Sequence, residues 1–163
     1  MSMSNFYALM LTEMKARINE MVPEIVYIDQ DFGQLDNENA INLAYPCLLI
    51  DFTGTTFNQN GQLSETGDAS IQMRIGYKMN DEAAAQGITE TALAYYELEG
   101  KIYKAFKGWN PANGISQPLN RVSDASEKRT DGIRVRKLLF NTMFEDSTAS
   151  TNYTTTSPRM TIE

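Results

Sequence analysis

The chain has 163 residues, a length typical of one domain, and its 42% hydrophobic and 21% charged content is typical of a folded globular protein. Its formal net charge of −7 argues against a nucleic-acid reader, because neutralising phosphates requires clustered Lys and Arg. The absence of histidine excludes Ser-His-Asp and Cys-His catalysis, and a single cysteine is too few for a zinc site or an intramolecular disulfide.

An amphipathic helix is predicted from about Ser4 to Met21. Ser4 suits the N-cap position, and Pro23 stops the helix at the residues before it. Apolar side chains recur every three or four residues and form one stripe: Phe6, Met10, Met14, Ile18 and Met21. Such a helix is expected to lie across a sheet.

Two strands are predicted next, at Ile25–Ile28 and at about Tyr45–Phe52, because both runs are rich in β-branched, aromatic or aliphatic residues. The polar stretch between them, residues 29–42, is expected to be an exposed loop. Pro46 should sit at the first residue of its strand, where no ladder hydrogen bond is lost. Cys47 lies in the same apolar run, which favours a buried thiol over a reactive one.

The dipeptide Asn60-Gly61 predicts a two-residue type I′ hairpin turn. Paired residue numbers would then sum to 121, which places Ile50 opposite Ile71. Residues 71–77 alternate between apolar and polar side chains, the period of a half-buried strand. The register therefore sets apolar side chains against each other.

Two polar segments are predicted to extend from this core. Residues 53–69 are rich in Thr, Gln, Asn and Gly, and we interpret them as a long hairpin arm; the alternative is a loop without strand pairing. Residues 147–163 are rich in Ser and Thr, with too little apolar content to pack by themselves, and are interpreted as a C-terminal tail.

A second helix is predicted over Thr89–Lys107, with Thr89 as N-cap and Gly108 following its end. Its apolar face is broad: Ala92, Tyr95, Tyr96, Ile102, Tyr103 and Phe106. Two last strands are predicted at about Gln117–Ser123 and Ile133–Glu145. The apolar pattern of the final strand changes phase, which predicts a β-bulge near Lys137.

These elements predict an α+β fold, with a mostly antiparallel sheet and two helices packed on one face. Residues 1–146 would form a single domain, from which the arm extends. No catalytic, cofactor-binding or metal-binding residue is predicted. The acidic loop of Asp29, Asp31 and Asp36 lacks the spacing of a calcium loop, and a solvated loop is favoured. The aromatic residues of the second helix favour core or interface positions over a platform for stacking bases.

Several short motifs accompany these elements in a defined order. A Tyr-Pro pair, Tyr45-Pro46, opens the central strand, and the later strand carries a Leu-x-Arg element, Leu119-Asn120-Arg121. The last strand ends in a Phe followed by acidic residues, Phe144-Glu145-Asp146. In this order the chain resembles, over about residues 4–146, the tail-terminator (tail-completion) proteins of long-tailed bacteriophages, which take part in head–tail joining. The arm is longer than in that family, and the C-terminal tail is additional.

The resemblance implies a virion structural protein without enzymatic activity or cofactor. It would form a homo-oligomeric ring, commonly of six subunits, that caps the tail tube and joins it to the neck or head. Its expected partners are the tail tube protein and neck or head-connector proteins, and DNA would pass through the bore without sequence-specific binding. Assembly would take place in the host cytoplasm. No membrane is expected, because no stretch of the sequence approaches the length of a membrane span.

The arm, over Thr55–Thr66, and the C-terminal tail are predicted to reach across to neighbouring subunits and to become ordered on contact. A basic segment of the last strand is also predicted to lie at a subunit or partner interface. The candidate interface residues are Thr55, Phe57, Asn60, Gly61, Leu63, Arg134, Arg136 and Tyr153. Two alternatives remain open at this point. One is another ring of the virion, such as a head–tail adaptor or a tube-related subunit. The other is a small enzyme or ligand-binding domain, which would need a deep pocket with convergent polar groups.

Overall fold

The computed structural model describes residues 5–37, 43–79, 87, 89–111 and 114–150. The five strands form one sheet in the order β1-β2-β3-β5-β4, in which β1 and β2 are parallel and the other pairs antiparallel. The predicted α+β class is confirmed. In chain order the elements are helix α1 (Phe6–Met21), strands β1 (Tyr27–Gln30), β2 (Cys47–Gln59) and β3 (Glu65–Lys78), helix α2 (Thr89–Phe106), strands β4 (Asn120–Glu127) and β5 (Ile133–Asp146), and a 3-10 turn (Thr148–Ser150).

Both helices pack on one face of the sheet and share its main hydrophobic core. The core side chains that are fully buried include residues from both helices and from three strands: Met10, Met14, Ile18, Ile102, Phe106, Leu48, Ile50, Ile71, Met73 and Phe140. Alternate residues of the strands supply them, because successive side chains of a strand point to opposite faces. The two-layer arrangement expected from the apolar periodicity is therefore present.

The two ends of α1 differ from the prediction. The N-cap is Asn5 rather than Ser4, and the Asn5 side chain accepts hydrogen bonds from backbone N–H groups of the first turn. At the other end Met21 is 44% exposed, whereas Val22 is fully buried. The Val22 N–H group still donates to the Ile18 carbonyl, so the chain completes the last turn and directs Val22 rather than Met21 into the core.

The β2–β3 connection is longer than the predicted two-residue turn. Gln59 pairs with Glu65, the Asn60 N–H group donates to the Ser64 carbonyl, and Gly61 does not adopt a positive φ. Ile50 consequently lies opposite Met73 instead of Ile71, a shift of two residues. Over Cys47–Phe52 a shift of two keeps each side chain on its predicted face, so the core is unaffected. Beyond the irregularity after Phe52 the shift is three residues, as in the pairing of Gly54 with Ser70.

The bulge predicted near Lys137 is absent, since β5 pairs with β3 without interruption from Ile133 to Asp146. The change of phase has another cause, which is that apolar residues of β5 serve two cores. Val135 packs with Leu35, Cys47 and Leu49 on the face opposite the helices, whereas Leu138 and Phe140 belong to the main core. The irregularities of the sheet lie instead in β2, after Phe52, and in β4, after Arg121.

Strand boundaries are shifted relative to the prediction. β1 begins at Tyr27 rather than Ile25, and β4 begins at Asn120 rather than Gln117. Ile25 is buried in the main core, with its N–H group bonded to the carbonyl of Val22. The N–H group of Gln117 donates to a β5 carbonyl, but regular pairing begins only after Pro118, which has no N–H group.

Arg74 of β3 is the buried cation at the centre of the face opposite the helices; its side chain is only 8% exposed. Its guanidinium donates to both carboxylate oxygens of Glu127 in β4, at 2.9 Å each, and to both of Asp36, at 3.0 and 3.1 Å. Asp31 lies 3.4 Å away, and Arg129 donates to the same Asp36. Burial disfavours the charge of Arg74, but these hydrogen bonds outweigh it and raise its pKa.

This charged cluster fixes the residue 31–37 loop onto the sheet. The loop covers the second core, where Leu35 and Cys47 are buried, and the Arg129 side chain donates to the Leu35 carbonyl. Burial raises the pKa of the Cys47 thiol to about 11, as expected for an unreactive cysteine. Both Asp31 and Asp36 of the acidic loop pair with Arg74. Asp31 is largely buried there, whereas the Asp36 side chain remains 56% exposed, so the predicted solvation of the loop holds for Asp36 but not for Asp31.

We expect Arg74→Ala to lower the free energy of unfolding by about 3 kcal/mol, because it leaves the partly buried carboxylates of Asp31 and Glu127 without their partner. Urea denaturation measures the change. The control is Lys15→Ala, which removes a half-exposed ion pair with Asp29 and should cost less than about 1 kcal/mol. Equal stability of the two variants would contradict the central role of the cluster.

Stability is expected to fall under acid conditions because of the same cluster. Hydrogen bonds from Arg74 lower the pKa values of Asp36 and Glu127, and a hydrogen bond from Arg129 lowers that of Asp131. A carboxylate with a lowered pKa stabilises the folded state above its ordinary pKa and loses this contribution as pH falls through its folded value. Unfolding followed from about pH 7 downward should show the loss beginning near about pH 4, with a weaker dependence in Arg74→Ala.

Candidate subunit interface

Five of the predicted interface residues, Thr55 to Leu63, lie in the long extension of β2 and β3, which we call the arm (residues 53–69). The arm is more than a two-stranded hairpin, because β5 pairs with β3 along its whole length and ends opposite Glu65. Three strands therefore form its sheet. Phe57 is 40% exposed and Leu63, in the connection, 38% exposed.

An aromatic cluster anchors the base of the arm to helix α1. The ring of Phe6 stacks on that of Phe144 with 3.6 Å between centroids, and Tyr7 meets Phe52 edge-on at 5.2 Å. Phe57 and Phe144 form a T-shaped pair with 6.0 Å between ring centroids. The Tyr7 hydroxyl lies 2.8 Å from the Thr55 hydroxyl, which adds a polar contact between helix and arm. Aromatic pairs of this kind add to the stabilisation that burial alone provides.

Gly67 makes this packing possible. A Cβ atom at position 67 would lie 2.6 Å from Cε1 of Phe144 and 3.1 Å from Cε1 of Phe57. The Phe144 ring cannot move aside freely, because Phe6 stacks on it. The glycine is therefore required by a close approach of an aromatic ring to the backbone of β3.

Side-chain hydrogen bonds close the tip of the arm. The Asn60 side chain donates to the Thr66 hydroxyl, and the Gln59 side chain donates to Glu65. The Ser64 hydroxyl donates to Glu145 of β5 at 3.2 Å. Asn60 and its neighbours thus bond within the arm, while Leu63 is left as an apolar side chain at the tip.

Arg134 and Arg136 lie far from the other predicted residues. They pair with Tyr77 and Ile75 of β3, ten or more residues from the level of the arm tip at Glu65, which corresponds to more than about 30 Å along the strand. Both face the buried Glu99 of α2, at 3.9 and 3.6 Å. The sequence-predicted set is therefore not one patch, and Tyr153 lies outside the described residues.

The environment of the two arginines is a polar and aromatic contact between α2 and the sheet. Burial raises the pKa of Glu99, opposed by the charges of Arg136 and Arg134. Arg136 also donates to Asp124 of β4 at 2.8 Å, and the Arg134 guanidinium lies over the Tyr95 ring at 4.7 Å. These contacts neutralise the basic segment internally, so it does not present a free positive patch.

The sheet face opposite the helices is bare beyond the Arg74 cluster, within the part of the chain that the structure describes. Strand alternation places mostly polar side chains on it. Its charged groups along the arm are acidic. The side chains on this face include Asp51, Asp68, Ser70, Gln72, Leu139, Asn141, Met143 and Glu145.

Two open sheet edges were not predicted from the sequence. β4 is the outermost strand on one side, and all but its last residue are exposed. On the other side β1 pairs only with Cys47–Ile50, so the outer edge of β2 from Phe52 to Gln59 has no strand partner among the residues that the structure describes. The sequence feature that could have indicated the edge position of β4 is its low apolar content. Its Val122 is 57% exposed in the structure.

The described residues contain no group of three or more His, Cys, Asp or Glu side chains placed to hold a metal ion. Nor does any helix in the described ranges have the length and apolar character needed to cross a membrane. A groove of about 380 Å³ between α2 and the start of β2 is lined by Glu24, Tyr45, Leu98 and Lys101 among others. Glu24 and Lys101 pair with each other there at 2.7 Å.

Comparison with known proteins identifies the fold. No protein-family model matches the chain, and no curated protein sequence matches it. Among solved structures, a chain of the "Virion of native gene transfer agent (GTA) particle" has the same fold, with a TM-score of 0.55 at 8% sequence identity. The alignment covers 88% of this chain and 100% of that chain.

We expect Gly67→Ala to lower the free energy of unfolding by about 1–3 kcal/mol, because the new methyl group overpacks the Phe6–Phe144 stack. Gly54→Ala is the matched control. It lies in the facing strand, its added Cβ would have no atom within 4 Å, and its φ is not in the left-handed region. Thermal or urea unfolding compares the two, and a Gly67→Ala variant as stable as Gly54→Ala would show that the ring can be displaced without cost.

Proposed function

We propose that this protein is a structural subunit of a phage-like virion, which closes into a ring, caps the tail tube and joins the tail to the neck or head. The observation that carries the proposal is the shared fold with a virion chain of the gene transfer agent particle, which aligns over its entire length. The order of elements and the Tyr45-Pro46, Leu119-Asn120-Arg121 and Phe144-Glu145-Asp146 motifs support the tail-terminator assignment within that class.

The distribution of charge supports a ring through which DNA passes. The net charge is −7, and the bare sheet face carries Asp51, Asp68 and Glu145. The basic side chains Arg74 and Arg136 are instead paired with carboxylates of the same chain. A bore lined by the bare face would repel phosphates, so DNA could move along it without adhering.

The mechanism we propose is steric and requires no bond-making step. Subunits related by rotation bury the same pair of surfaces at every contact, and the series closes into a ring. One face of the ring occupies the end of the tube and prevents further tube protein from adding. The other face then offers a docking surface to neck or head-connector proteins.

A second reading is another ring of the virion, such as a head–tail adaptor. The same fold likeness supports it, because the description of the matched particle does not say which part the chain forms. The two readings differ in copy number, since adaptors follow the twelvefold order of the portal whereas a tail ring is commonly sixfold.

The proposal predicts a closed oligomer. Native mass spectrometry of the purified full chain should find six copies of the 18.3 kDa subunit, about 110 kDa. Twelve copies would favour the adaptor reading, and a protein that stays monomeric at high concentration would contradict both. In infected cells, loss of the protein should give tubes longer than normal that lack heads, which electron microscopy would detect.

The matched variant for this experiment lacks residues 55–66. This deletion removes the arm tip and part of the free edge of β2, while the main core and the Arg74 cluster lie elsewhere. We expect a folded monomer, with cooperative thermal unfolding but no ring. A variant that still assembles to the full mass would rule out a role for the arm in subunit contacts.

A further inference from the structure

Apart from the irregular pairing after Phe52, the outer edge of β2 in the arm lacks the features that keep edge strands from pairing. Its eight residues from Phe52 to Gln59, with the sequence FTGTTFNQ, contain neither a charged residue nor a proline. Natural proteins usually protect edge strands with charges, prolines or covering elements. An exposed, uncharged edge of this length is expected to be covered by another strand in the working state.

Among the described parts of the chain, the outer edge of β4 is the second free edge; it also spans eight residues, with irregular pairing after Arg121. β4 carries charges, but contacts within the same chain hold them over the two faces of the sheet. The Arg121 guanidinium lies 4.0 Å from the centre of the Tyr103 ring, Asp124 binds Arg136, and Glu127 binds Arg74. The backbone donors and acceptors along the edge therefore remain accessible to an incoming strand.

We propose that β4 of one copy pairs in antiparallel orientation with the Phe52–Gln59 half of β2 in the next copy. This inference rests on the proposed ring and specifies its contact surface. In the sheet β2 and β5 run one way and β3 and β4 the other. When copies are related by rotation about an axis, β4 therefore meets the β2 of its neighbour antiparallel, the orientation of the other pairs in this part of the sheet.

The stagger of the two edges fits a closed sheet. Through β5, β4 lies level with Ser70–Gly76 of β3, whereas the free half of β2 lies level with Glu65–Ile71. The two edges are offset by about five residues, which is about 17 Å along the strands. Four strand spacings of about 4.8 Å separate them, which is about 19 Å across the strands. The ratio corresponds to a strand tilt of about 40°, within the 35–45° typical of closed barrels.

The short strand β1 leaves room for this pairing. It pairs with β2 only as far as Ile50. The neighbour's β4 would pair with the following part of β2 and would therefore begin where β1 ends, without overlapping it. Closure in this way pairs both free edges in every subunit. It also places the bare acidic face on one side of the closed sheet and both helices on the other.

The experiment is disulfide cross-linking of the full chain. Pairing of the two edges places Ser123 opposite position 56 of the next copy, and both side chains lie on the bare face. We would combine Ser123→Cys with Gly54→Cys, Thr56→Cys or Asn58→Cys. The second pair tests the expected register, and the other two test the neighbouring registers that also place both side chains on the bare face. The native Cys47 is fully buried and gives a clean background. Within one chain β3 and β5 separate the two sites, so any disulfide joins two copies.

The expected result is a covalent ladder on a non-reducing gel, ending at the ring, for one of the three pairs. The matched control combines Thr56→Cys with Ser126→Cys, which lies on β4 but on the helix face and should not link. If the unmodified protein forms rings by mass and none of the three pairs links, the edge pairing is wrong while the proposed function stands. If it forms no ring, the proposed function itself fails.

Discussion

A buried arginine organises the side of this molecule that the helices leave uncovered. Arg74 reaches across β5 to Glu127 in β4 and, in the other direction, to Asp31 and Asp36 in the loop before β2. A buried guanidinium is costly unless its donors are all used, and this requirement is met only when the loop and β4 both lie against the sheet. One side chain thus couples the position of β4 to that of the loop that seals the second core.

The arm depends on a different constraint, which is aromatic and lies on the helix side. Phe144, near the end of β5, contacts Phe6 of α1 and Phe57 of β2, and Gly67 supplies the space for its ring. Because β5 is common to the arm and to the main core, the arm extends a packed layer rather than forming an isolated hairpin. A ribbon held this way keeps the open edge of β2 in a fixed orientation, as pairing with another chain requires.

Sequence patterns predicted correctly the features that depend on the geometry of a single helix or strand. The apolar stripe of α1 and the alternation of residues 71–77 predicted the correct buried faces, because both follow from the geometry of one helix or strand. The turn at Asn60-Gly61 was wrong in length, since side-chain bonds to Glu65 and Thr66 stabilise a wider connection. The burial of Arg74 and the open edges could not be predicted, because they follow from strand order and from a loop distant in sequence.

The internal pairing of charges supports the proposal that this protein acts through contacts between copies. The buried carboxylate of Glu99 and the partly buried one of Glu127 already pair with arginines of the same chain, whereas two eight-residue strand edges have backbone donors and acceptors that no described residue uses. An interface made from backbone hydrogen bonds requires a certain fold and strand order but few particular side chains. Assembly of this kind would allow the fold to persist while the sequence diverges. It would thereby account for a virion chain that shares this fold over its full length with only 8% of its residues identical.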